Sequence, residues 1–329
     1  MLLKLFKGNH SSVIFLIPLV AIILWVPTLF DTPIKLLYAT TGTTTFAYNW
    51  VYEWVSFHPK APVILALLLI ILQAFMILRL NFKYIFIEYK TFLPSVLFVL
   101  FASIISYYQM LHPLLIANVF ILLAIDKAFL FDKAVKQYDR YFKSGFFLGL
   151  GLFFYPNAFV LIVFIWLTLI ILRTFNWSEW FASFLGLLTP FLFYLVILFL
   201  TNKMSSLKAM VGGNLLNNPV ETIQFSFYSL ISIGFLTVIL IGSLLIGTNA
   251  VSLKKINTRK YFNLFFWYII ILVALFFLHP SMGFELVVTL AFPVSVVCSV
   301  FFIEIRNKWV GEVIFGLTLV SAFVIIWFQ

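Results

Sequence analysis

Long apolar runs separated by short polar connections recur along the whole chain. Taken at about 20 residues per bilayer crossing, they predict an all-α bundle of about eleven membrane spans. These are 12–30, 62–80, 91–110, 114–124, two within 144–173, then 180–200, 225–247, 261–278, 286–303 and 311–329. The stretch 144–173 is too long for one crossing and is interrupted at Tyr155-Pro156-Asn157. Proline cannot continue a helix without losing a hydrogen bond, so two short or tilted helices meeting at that turn are expected.

Two segments carry a helical rather than a uniformly apolar pattern. Between the first two spans, Phe46, Trp50, Trp54 and Phe57 recur at helical spacing while Asn49, Glu53 and Ser56 fall on another face. This predicts a short helix in the outer interface, its tryptophans at headgroup depth. In 126–143, Leu130, Phe131, Ala134, Tyr138, Tyr141 and Phe142 line one side, and Asp132/Lys136 and Asp139/Lys143 stand four residues apart. The expectation there is an amphipathic helix on the inner surface.

Charge orients the bundle. Of the 21 lysines and arginines, 17 fall on one set of alternate connections and four (Lys35, Lys60, Lys203 and Lys208) on the other. The positive-inside rule then puts the N-terminus of this multi-pass chain in the cytoplasm. The basic start of the first span is followed by no small-residue cleavage site, so that span is expected to be retained.

Composition agrees with one integral membrane domain over 1–329. Hydrophobic residues make up 64% of the chain, 42 residues are Phe and 10% are charged, which leaves no soluble domain of any size. The net charge of +10 belongs to the inner connections and their anionic lipid headgroups, so nucleic acid is not an expected partner. Cys298 is the single cysteine, which excludes an intrachain disulfide and a thiolate metal cluster.

Few groups remain to carry chemistry. The outward acids are Asp31, Glu53, Glu221 and Glu285, and three of the four histidines, His58, His112 and His279, are outward and directly precede proline. Proline holds the residue before it extended, so these imidazoles mark hairpin corners. The His-Pro pairs read equally as turns at the membrane surface. No two ligands share a helical face or short loop, so no cofactor is called for. A divalent ion held by the histidines with Asp31 or Glu53 would need convergence of separate hairpins. Asp31 follows the first span at the hydrocarbon edge, where it suits a general base acting on a hydroxyl or amide presented from outside. It reads also as an N-capping residue.

A first span followed at once by an acidic outward loop with an interfacial helix, then many short spans, resembles the GT-C class of membrane glycosyltransferases. The glycine-spaced run from Gly145 to Asn157 resembles the helix of that class that ends in a basic residue, proline and a polar residue, with Tyr155 here at the basic position. The likeness covers about residues 1–175, and 176–329 would be additional spans. It implies transfer of a sugar from a polyprenyl-phosphate donor to an acceptor on the periplasmic face. Asp31 would be the base or metal holder and Glu53 its partner. Substrate contacts would come from His58, His112, His279, Lys203, Lys208, Tyr155 and Asn157. The whole chain also looks like a family of uncharacterised bacterial inner-membrane proteins, some labelled as carotene oxygenases. Iron would need several histidines on one face, and His10 lies opposite the other three, which excludes that label. Two other functions fit the pattern. One is a non-catalytic subunit packing its aromatic helices against partner membrane proteins, and the other a transporter of lipids or small solutes.

Overall fold

The computed structural model describes residues 2–7, 13–30, 45–87, 90–105, 108–129, 137–172, 176–200, 226–252, 256–278, 284–305 and 307–327. Among them the regular structure is helical throughout. The elements are α1 (Leu2–Lys7), α2 (Val13–Phe30), α3 (Phe46–Val55), α4 (Ala61–Tyr84), α5 (Leu93–Ala102), α6 (Pro113–Ala128), α7 (Tyr138–Leu152), a 3-10 turn (Pro156–Leu161) leading into α8 (Ile162–Leu172), α9 (Trp177–Leu200), α10 (Phe227–Ser252), α11 (Ile256–Leu278), α12 (Leu286–Glu304) and α13 (Lys308–Trp327). Seven of these helices are long and apolar enough to cross a membrane.

The core is built around α12 and α5. Every residue of α5 is buried, and so is 78% of the apolar window of α12. By contrast, the windows of α9 and α10 are each 22% buried and present Phe181, Phe193, Ile231 and Val238 outward. In lipid no hydrophobic force drives helices together, so association depends on close packing and shared hydrogen bonds. Both devices are present. Between α7 and α9, a Cβ added at Gly145 would lie 1.9 Å from the Ser183 carbonyl oxygen, and one at Gly186 would lie 2.1 Å from that of Phe142. The backbones therefore touch. Gly145 meets Ser183 and Leu187, and Gly149 meets Leu187 and Pro190, so the two helices run in the same direction. The chain returns between them through the 3-10 turn and α8, as the break at Pro156 predicts.

Hydrogen bonds do the rest. Gln73 Nε2 donates to the Leu115 carbonyl (2.8 Å) and its Oε1 accepts from Asn118 Nδ2 (2.9 Å), tying α4 to α6. Trp25 Nε1 donates to Ser103 Oγ at 2.9 Å, and Thr28 Oγ1 to Gln109 Oε1, tying α2 to the segment after α5. Such pairs are worth roughly 0.6–2 kcal/mol each in a membrane, and they satisfy groups that lipid cannot.

Two expectations are revised. The third span ends early: α5 stops at Ala102, and Ser103, Gln109 and His112 follow as non-helical, buried polar residues. The segment 126–143 is no single surface helix. Asp126 belongs to the last turn of α6 and is buried, whereas residues from Tyr138 onward open α7 and continue into its glycine run. Asp139 and Lys143 do pair across one turn, at 2.7 Å. Asp132 and Lys136 lie outside the described residues.

Candidate functional site

The contacts sort the connections into two poles. At one, Lys7 Nζ donates to the Ile303 carbonyl (3.0 Å), Leu3 N to Glu312 Oε2 (3.1 Å), Gln137 N to Glu179 Oε1 (3.2 Å) and Tyr261 Oη to the Phe129 carbonyl (2.8 Å). Lys83 Nζ sits 2.6 Å from Asp126 Oδ1, and the Tyr84 hydroxyl donates to the Asp126 carbonyl oxygen and carboxylate. Lys127, Arg140 and Lys143 lie on the segments gathered here.

The opposite pole is assembled from four separate stretches. Thr45 caps α3, accepting from Tyr48 N and donating to the Phe154 carbonyl at 3.2 Å. Tyr48, 1% exposed, donates its hydroxyl to the Leu111 carbonyl (2.9 Å) and so fixes α3 against the turn that leads into α6. In that turn Pro113 supplies the first helical residue. His112 is the N-cap: its Nδ1 accepts from Leu115 N at 3.2 Å. Tyr108 packs edge-on against the imidazole, with ring centroids 5.8 Å apart. Glu285 Oε2, from the residue before α12, lies 3.9 Å from His112 Nδ1. His112 is wholly buried, and the Glu285 side chain is 11% exposed. Tyr155 and Asn157, at the break after α7, complete the group, with Tyr155 in electrostatic range of Glu285, Asn157 and Tyr108.

Because His112 stands in a turn outside the seven spans, its titration matters. Burial disfavours the charged imidazole and pulls its pKa down to about 3. The ring is therefore neutral at physiological pH, as its use of Nδ1 as a hydrogen-bond acceptor requires. Asn157 Oδ1 and Thr289 Oγ1 are enclosed and make no hydrogen bond among the described residues, and the enclosed Tyr155 hydroxyl has the Asn157 side chain beside it. Leu114, Tyr155, Asn157, Leu272, Leu286 and Thr289 border a space of about 10 Å³, that of one water.

On the other side of α12, Val287, Leu290 and Val294 join Phe101, Ile105 and Leu236 around an apolar cavity of about 190 Å³. A 100° step per residue puts these α12 positions on the face opposite Thr289. The polar cluster and the apolar cavity are thus separated by the thickness of one helix.

The remaining expected site residues are distributed as follows. Glu53 and His58 are exposed, His58 Nδ1 accepting from Lys60 N at 3.2 Å. Trp50 and Trp54 beside Glu53 are 56% and 72% exposed, as an interfacial helix requires. Asp31, His279, Lys203 and Lys208 lie outside the described residues. His112, Tyr155 and Asn157 come together, and Glu53 and His58 stand apart from them. No cluster of three or more His, Cys, Asp or Glu able to hold a metal occurs among the described residues. Sequence reading did not select Tyr48, Tyr108, Glu285 or Thr289. Only Glu285 carried a signal, as an outward acid directly before an apolar run.

Comparison with known proteins places this architecture in a family. The chain belongs to the family of unknown function DUF6427, whose model matches residues 1–329. No curated protein and no solved structure matches it. In this DUF6427 chain the buried group of His112, Tyr155, Asn157 and Glu285 combines hydroxyl, amide and carboxyl chemistry at one end of an apolar bundle. Such a set offers polar partners to one water-sized molecule and groups between which a proton can move.

Proposed function

We propose that this DUF6427 chain is a multi-pass inner-membrane protein of about eleven spans with its N-terminus in the cytoplasm. On this reading it transfers a sugar from a polyprenyl-phosphate carrier to an acceptor at the periplasmic face. The orientation rests on the positive-inside rule applied to the basic pole. The observation that carries the functional reading is the polar pole opposite. Residues from α3, the α6 cap, the Tyr155-Pro156-Asn157 break and the start of α12 converge there, although burying them stabilises a bundle less than apolar packing would. Polar groups that converge beside an apolar cavity are the default candidates for a substrate site. The apolar cavity beside α12 has the character a prenyl chain needs, and α3 lies where an acceptor would approach. In this scheme Asp31, just beyond α2, takes the acceptor's proton, and Lys203 or Lys208 holds the carrier phosphate.

Deletion and complementation test the reading. Deleting the gene is expected to change the cell's glycan and glycoprotein profile, with wild type restoring it and Asp31→Asn at equal level failing to. An unchanged profile in the deletion strain sinks the proposal. The exposed apolar faces of α9 and α10 favour a second reading, a subunit packed against a partner membrane protein. Purification in mild detergent separates the two, since a stoichiometric partner supports the subunit and a lone monodisperse chain counts against it.

A further inference from the structure

The position of His112 between α6 and α12 gives its Nδ1 two possible uses. In the structure it shares the Leu115 amide proton, at 3.2 Å, with the His112 main-chain carbonyl at 3.1 Å, and so caps α6. The same atom faces Glu285 Oε2 at 3.9 Å, about 1 Å beyond the distance of a charge-assisted hydrogen bond. An imidazole nitrogen has one in-plane lone pair, so it cannot accept from Leu115 and bear a proton at once.

We propose that His112 and Glu285 form a proton-binding pair in which Nδ1 caps α6 when unprotonated and donates to the Glu285 carboxylate when protonated. The proton arrives from the outward side through Glu285, whose side chain keeps 11% exposure while that of His112 has none. The captured proton converts the pair to imidazolium and carboxylate, leaves the Leu115 amide to the His112 main-chain carbonyl alone, and draws the starts of α6 and α12 together. The other titratable groups facing the pair among the described residues are Tyr48 from α3, Tyr108 from the turn before α6, and Tyr155 from the break after α7. At neutral pH each of these is an uncharged hydroxyl. Burial alone opposes the proton on His112, and approach of the carboxylate is the opposing influence that raises its affinity. The inference does not depend on the glycosyl-transfer reading.

The test uses the full-length protein in nanodiscs, labelled with ¹⁵N-histidine for NMR and followed in parallel by hydrogen exchange at Leu114–Ile116. Closure onto the Glu285 carboxylate lifts His112 above the value of about 3 that burial sets in the capped geometry, so its Nδ1 is expected to become protonated between about pH 7.5 and about pH 4. Over the same range the Leu115 amide keeps only its bond to the His112 carbonyl and loses protection by up to about fivefold after correction for intrinsic exchange, the effect of one lost N-cap. His112→Asn, which keeps a capping acceptor, abolishes the dependence, and Glu285→Gln lowers the midpoint by about one pH unit or more. An Nδ1 that stays unprotonated to about pH 4, or that protonates without any change at Leu115, overturns the pair in wild type alone. A Glu285→Gln protein that titrates as wild type does the same.

Discussion

The two poles of the bundle use the same residue types for opposite ends. At the basic pole, charges sit near solvent and are neutralised locally: Lys83, 32% exposed, meets Asp126, and Lys143 meets Asp139. At the other pole, Glu285 and His112 lie deep, among tyrosines and an asparagine rather than beside a described lysine. Pairing with a mobile cation at a surface is weak and tolerant of change. A buried polar group depends on fixed neighbours, and losing one of them leaves the rest exposed to the full desolvation cost. The first arrangement anchors a protein at a headgroup layer, and the second can hold a ligand or a proton in one geometry.

The α7/α9 seam joins these poles, so breaking it gives the largest effect. Gly145→Leu or Gly186→Leu has to move backbone rather than side chain, because the atoms within 3 Å of the added Cβ are main-chain atoms. A loss of more than about 3 kcal/mol is expected, read as absence of folded protein on size exclusion in detergent. Wild-type elution and melting of both variants would remove the seam from the account.

Next come the buried tie points of the basic pole. Asp126→Ala removes the carboxylate that Tyr84 and Lys83 share, leaving Tyr84 the main-chain carbonyl alone. The loss should be about 1–3 kcal/mol, lowered by the exposure of Lys83. A double-mutant cycle with Tyr84→Phe should show coupling, and strict additivity would mean that the Tyr84 contact carries nothing.

At the polar pole, His112→Ala loses one N-cap, about 1 kcal/mol at neutral pH. Its pH dependence separates the poles more sharply. The folded-state pKa of about 3 lies below the unfolded value of about 6.5. Stability is therefore complete above about pH 6.5 and falls as pH drops toward 3. The unfolded chain binds a proton that the native ring resists, at up to about 1.4 kcal/mol per pH unit. Thermal melts of His112→Asn should lack this fraction of the acid loss. A wild-type slope well below that limit indicates closure onto Glu285.

Lys143→Ala, at an exposed pair, should change stability by only about 0.3–0.5 kcal/mol and lose even that in high salt.

Much of this molecule was legible one residue at a time. The apolar runs placed α2, α4, α11, α12 and α13 to within a few residues, because a bilayer demands a fixed length of uncharged helix. Pro156 ended α7 where its ring predicts, and Trp50 and Trp54 appeared exposed on a short helix between α2 and α4. The early end of α5 was not legible, because apolar residues continue past Ala102 and only buried partners for Ser103 and Gln109 allow the helix to stop.

Hydropathy, helix breakers and charge sidedness act locally or on the membrane as a whole, so sequence alone determined that this is a helical, multi-pass membrane protein with polar chemistry scarce. Which scarce groups meet is a question of distances between segments far apart in the chain. Residues 112 and 285 come within 3.9 Å only because α6 and α12 start at the same pole, while Glu53, the acid expected to matter, is left exposed. Helix packing decided that, through backbone contacts at glycines and hydrogen bonds that no window of sequence contains.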